Sequence, residues 1–79
     1  MTNEEIRTKI YELITPLNKK GISLKPETTF ASDLELDSLT VMDLVADIED
    51  EFDILLPINK LPELETIQQV ADAVEEDLG

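Results

Sequence analysis

A chain of 79 residues with 42% hydrophobic residues and only two glycines describes one small domain over residues 1 to 79, because a core divided between two would leave neither able to outweigh its conformational entropy. Six basic residues against nineteen acidic ones give a net charge of -13, which repels nucleic acid and anionic lipid surfaces and attracts proteins with basic faces. Cysteine and histidine are both absent, and this excludes thiolate nucleophiles, disulfides, thiolate or imidazole metal sites and the usual base that activates a serine.

Thr2-Asn3-Glu4-Glu5 fits a capping box, in which Thr2 accepts a bond from a first-turn amide while Glu5 reaches back to the Thr2 amide. Ile6, Ile10, Leu13, Ile14 and Leu17 follow at helical spacing and predict one buried stripe. Pro16 limits the far end by removing a backbone donor, and Asn18-Lys19-Lys20-Gly21 completes the exit. Residues 18 to 37 then form a connection too long to stay structureless in a compact domain. Ile22, Leu24, Phe30, Leu34 and Leu36 are expected to pin it to the helices, with a turn around Thr29 to Leu34.

Residues 37 to 52 read as the second helix, with Asp37 as N-cap and no Gly or Pro before Pro57. At about 100° per residue, Val41, Leu44, Val45, Ile48 and Phe52 share a core side. Leu39, Met42 and Ala46 share another, bordered by Asp43, Glu49, Asp50 and Asp53. Pro57 and Pro62 leave room between them for a short helix of about a turn. Thr66-Ile67-Gln68-Gln69 is a second capping box, and Ile67, Val70, Ala71, Val74 and Leu78 give the last helix its apolar face. The expected fold is all-α: a small bundle of three main helices plus one short helix, with a long first loop. No apolar run approaches the ~20 residues needed to span a bilayer, and the acidic start has no signal-peptide pattern, so a cytoplasmic protein without membrane insertion is expected.

Ser38 follows the proposed N-cap, where unpaired amides and the positive end of the helix dipole favour a negatively charged substituent; by position alone it is an ordinary first-turn serine. Asp33, Glu35 and Asp37 alternate as calcium ligands do, but an EF-hand needs Gly and Glu where Ser38 and Leu44 stand, so no resident metal site is expected.

The motif Asp37-Ser38-Leu39, preceded by Phe30, Asp33, Leu34 and Leu36 and followed by Met42, Leu44, Ile48, Glu49, Phe52 and Pro57, resembles the acyl carrier protein family over almost the whole chain. The resemblance implies that Ser38 is the attachment point for 4'-phosphopantetheine, delivered from coenzyme A by a phosphopantetheinyl transferase, with Asp37 helping to hold that enzyme's magnesium. It implies a type II, free-standing carrier that is not an enzyme. Leu39, Met42, Asp43, Ala46, Glu49 and Asp50 would then form a face docking acyl-transferring and chain-elongating enzymes through their basic surfaces, with Asp37 adding to the steering charge. Leu44, Val45, Ile48, Leu64, Ile67 and Val70 could line a sheltered acyl chain, although plain core is their default role. The pathway implied is fatty acid, specialised lipid or polyketide synthesis by a monomeric carrier. Glu35 departs from the glycine usual in the family, Thr40 from a frequent acid, and Leu55, Leu56, Ile58, Leu61 and Pro62 make the region of the short helix unusually apolar, which suggests dedicated partner enzymes. The competing reading is an acidic helical adaptor or inhibitor of a basic protein that carries no arm.

Overall fold

The computed structural model describes residues 2–56 and 64–78. The short helix expected between Pro57 and Pro62 lies outside the described residues. Three α-helices are present: α1 (Asn3–Ile14), α2 (Ser38–Phe52) and α3 (Ile67–Leu78), with a 3-10 turn Thr15–Leu17 extending α1. No strand forms among the described residues, apart from one isolated antiparallel bridge between Thr29 and Thr66. No described helix is long and apolar enough to cross a membrane.

Local signals start each helix as the sequence predicts. The Thr2 hydroxyl accepts the Glu5 amide at 3.2 Å and the Glu5 carboxylate accepts the Thr2 amide at 3.0 Å, closing the capping box. At α3 the Thr66 hydroxyl accepts the Gln69 amide at 3.2 Å, and the Gln69 side chain accepts the amides of Glu65 and Thr66. Pro16 sits inside the 3-10 turn, and the Asn18 side chain then brackets Ile22, donating to its carbonyl at 2.8 Å and accepting its amide at 3.2 Å.

α1 is the hub, packed against both other helices, while α2 and α3 approach each other less closely than either approaches α1. The core is Ile6, Ile10 and Ile14 of α1, Leu44, Val45, Ile48 and Phe52 of α2, and Ile67, Val70, Ala71 and Val74 of α3, closed by Phe30, Leu34, Leu56 and Leu64. Leu78 does not join it: at the last turn of α3 it overhangs the apolar face and is 43% exposed. Val41, also expected in the core, is only partly buried. Polar groups cross the α1–α3 seam as well, where Asn3 donates to Asp72, Gln68 donates to both Asn3 and Asp72, and Arg7 donates to Gln68.

The long connection is pinned by its backbone as much as by its side chains. The Phe30 amide donates to the Glu65 carbonyl at 3.1 Å, the Ile67 amide to the Thr28 carbonyl at 3.1 Å, and the Gln68 amide to the Pro26 carbonyl at 2.8 Å. Two first-turn amides of α3, which no helix can satisfy internally, thus find acceptors in the loop before α2. A turn does form from Thr29 to Leu34, locked by reciprocal bonds between Thr29 and Asp33. Phe30 and Leu34 are buried; Ile22, Leu24 and Leu36 are half-buried against the core.

Candidate functional site at the start of helix α2

The loop delivers residues 35 to 38 in a fixed way. Leu36 donates to the Phe30 carbonyl at 2.9 Å, which folds the chain back on itself just before α2. Glu35 adopts φ 53°, the left-handed region that disfavours any residue with a Cβ. A glycine, expected here from the resemblance, would adopt this conformation without strain. Here Lys20 forms an ion pair with Glu35 across the loop, tying the strained residue to the exit of α1.

Asp37 is extended, with φ -81° and ψ 171°, and caps α2 by accepting the Thr40 amide at 2.8 Å. The Thr40 hydroxyl and amide hold its carboxyl below the usual carboxylate range, because both donors favour the ionised form. Ser38 is the first helical residue and is exposed. No hydrogen bond ties its hydroxyl to a described residue. The chain has no histidine, and Asp37 accepts the Thr40 amide through Oδ1, so among the described residues no base is hydrogen-bonded to the hydroxyl.

Beside Ser38 lies a groove of about 730 Å³, with Phe30, Ala31, Ser32, Leu36, Val41, Met42 and Leu64 among its lining. A flexible chain attached through the Ser38 oxygen would lie against these apolar walls. The exposed serine at a helix start therefore suits a phosphodiester, and the groove suits an arm leading away from it. Of the six residues expected to line an acyl chain, only Leu64 borders this groove. Leu44, Val45, Ile48, Ile67 and Val70 are enclosed in the core behind it.

The outer stripe of α2 is open. Leu39 is 70% and Met42 54% exposed, and Ala46, Asp43 and Asp50 are exposed with them. Glu49, expected as a steering acid, also makes a structural bond. It is half-buried, and its Oε2 accepts the Leu56 amide at 2.7 Å, so it fastens the segment leaving α2. Charge is unevenly spread along the chain: five of the six basic residues precede Pro26, and sixteen of the nineteen acidic residues follow it. A partner approaching α2 therefore meets the acidic part of the sequence.

Sequence reasoning missed three features here: Ser32 in the groove wall, the structural bond made by Glu49, and the 82% exposure of Leu55. The first two depend on side chains meeting through tertiary structure. The third has a local cause, the left-handed Asp53 at φ 54° that ends α2.

The chain is similar to known proteins over most of its length. The phosphopantetheine attachment site family matches residues 9–74. The acyl carrier protein of Chlorobium luteolum is 38% identical over 77 residues, covering 94% of this chain and 96% of the relative. That of Chlorobium phaeovibrioides is 36% identical over the same coverage. The acyl carrier protein of a Picosynechococcus species is 36% identical over 78 residues, covering 98% of this chain and 96% of the relative.

Proposed function

The chain belongs to the acyl carrier protein family, and from that premise we propose that Ser38 is the residue that receives its 4'-phosphopantetheine arm. Family members are carriers and not enzymes, served in general by a phosphopantetheinyl transferase and by acyl-handling enzymes. The observation that carries the assignment is the exposed Ser38 hydroxyl, set by the Asp37 cap at the first turn of α2 and opening onto the apolar groove. When attached, the arm supplies the thiol that holds acyl groups as thioesters.

The residues of the chain have distinct tasks in this reading. Ser38 Oγ attacks the pantetheine-bearing phosphorus of coenzyme A in the transferase's site, the pyrophosphate P–O bond breaks, 3',5'-adenosine bisphosphate leaves, and the Ser38 proton passes to the transferase. The first-turn amides and the dipole of α2 favour the added negative charge. Asp37, held ionised by Thr40, keeps the helix start in place and offers a carboxylate oxygen toward the transferase's magnesium. Leu39, Met42 and Ala46 give partner enzymes an apolar contact, and Asp43 and Asp50 steer basic surfaces onto it.

An acyl chain entering from the groove past Leu64 would reach Leu44, Val45, Ile48, Ile67 and Val70 by parting α2 from α3. Those two helices are the less closely packed pair, and a small domain opens locally at modest cost. The whole chain acts as one monomeric carrier domain. Its pathway belongs to fatty acid, specialised lipid or polyketide synthesis, and the apolar Ile54-Leu55-Leu56 run favours dedicated partners.

The test is intact-protein mass after incubation with coenzyme A, magnesium and a broad-specificity phosphopantetheinyl transferase, with Ser38→Ala in parallel. A gain of one phosphopantetheine that the variant lacks is expected. No gain, under conditions that load a known carrier, would return the chain to the acidic-adaptor reading.

A further inference from the structure

Between the turn at Thr29 to Leu34 and the start of α2, the chain changes direction at Glu35. The residues on either side are fastened: the Leu34 amide donates to the Thr29 carbonyl at 3.2 Å, and the Leu36 amide to the Phe30 carbonyl at 2.9 Å. Leu34 is buried, and Leu36 is half-buried in the groove wall. The bend between them falls on Glu35 at φ 53°, a conformation that costs a residue with a Cβ free energy. Relaxing it to extended backbone would swing Leu36 out of the wall and carry Asp37 and Ser38 with it. Lys20, which pairs with Glu35, is itself offered from a fastened turn. The Gly21 amide donates to the Asn18 carbonyl at 3.2 Å, the Asn18 side chain brackets Ile22, and Gly21 takes φ 65°. The cation thus stands on a fixed support at the exit of α1, and the anion on the bend that leads into Ser38.

We propose that Lys20 and Glu35 are positioning residues for Ser38: their ion pair clamps the left-handed bend that sets the serine at the start of α2, and transfer of the arm depends on it. The inference rests on the reading of Ser38 as the attachment point. Both side chains are open to solvent, 51% and 58% exposed, so the clamp is modest and weakens with salt. Neither residue need touch the transferase. The clamp and charge steering predict opposite signs at Lys20. Removing this cation makes an acidic chain more acidic, which by steering alone would speed association with a basic enzyme, whereas loss of the clamp slows transfer.

The experiment follows exchange of the Leu36 amide with water by NMR in the full chain without the arm, and in parallel kcat and KM for transfer to Ser38 by a phosphopantetheinyl transferase at fixed low salt. Lys20→Gln and Glu35→Gln should each speed the exchange about two- to fivefold, the range that an exposed ion pair supplies, and the double variant should add nothing further. The value of kcat should fall by a similar factor, with KM changing less. The reversed pair, Lys20→Glu with Glu35→Lys, should recover both readouts, and added salt should erase the difference in exchange between the native chain and Lys20→Gln. In a Glu35→Gly background, where the bend is free of strain, Lys20→Gln should change neither readout. Native-like exchange or kcat in Lys20→Gln, faster transfer as steering alone requires, additive losses in the double variant, or no recovery on reversal would each overturn the proposal. A native chain that takes no arm would instead overturn the reading of Ser38, and the exchange measurement would still decide whether the pair holds the bend.

Discussion

The inner and outer faces of α2 use similar side chains and meet different surroundings. Leu44, Val45, Ile48 and Phe52 are enclosed, whereas Leu39 and Met42, part of a turn away around the same helix, stand more than half exposed. α1 and the pinned loop cover one face and no described element covers the other. In so small a domain there is no further layer to hide a second stripe, and the uncovered leucine and methionine, bordered by acids, are the surface we propose for partner enzymes.

The sharpest way to break this comparison is to truncate one residue on each face. Ile48→Ala should cost about 2–5 kcal/mol, much of the total stability of a small domain. Met42→Ala should stay within about 0.5 kcal/mol. Denaturant midpoints measure both, and equal losses would erase the distinction between the faces. On the outer face the effect should appear in kinetics: Leu39→Ala with Met42→Ala should slow acyl loading by partner enzymes about tenfold, the equivalent of ~1.4 kcal/mol, with helical circular dichroism unchanged.

Charge sharpens the comparison further. Asp43→Lys with Asp50→Lys should slow the same loading several-fold at low ionic strength, with the difference narrowing as salt is added. Glu49 is expected to behave as part of the scaffold: Glu49→Ala should cost about 1 kcal/mol by releasing the Leu56 amide, and added salt should rescue little of it. A pH-dependent effect is expected at Asp37. Its carboxyl is held below the usual range by Thr40, so its contribution is present above the ordinary carboxylate range and is lost as pH falls through the lowered value. Asp37→Ala should therefore be less stable than the native chain at neutral pH, and the gap should close as pH falls through the lowered value.

What the sequence made legible was local. Thr2 with Glu5, Thr66 with Gln69, and Asp37 with Thr40 are contacts three residues apart, and each forms. Helical spacing separated the faces of α2 because the period is fixed by the backbone. The stitching of residues 26 to 30 onto residues 65 to 68 was not legible, since it joins carbonyls and amides far apart in the chain and leaves no side-chain pattern. Glu35 showed as a departure from a family glycine, but its left-handed backbone and its Lys20 partner needed the structure. Within the uniform run Ile54-Leu55-Leu56, only the Asp53 turn and the two bonds to Glu49 determine which leucine faces out. Glu49 itself looked like one more surface acid until its bond to Leu56 was placed.

The proposed carrier of the arm is one particular oxygen, that of Ser38, and a second serine, Ser32, stands in the wall of the same groove. Fragmentation mass spectrometry of the modified protein tests it most directly by placing the added phosphopantetheine on a residue. Fragments that assign it to Ser38, with Ser32 unmodified, are the predicted result; an assignment to Ser32, or to any other hydroxyl, would contradict the account.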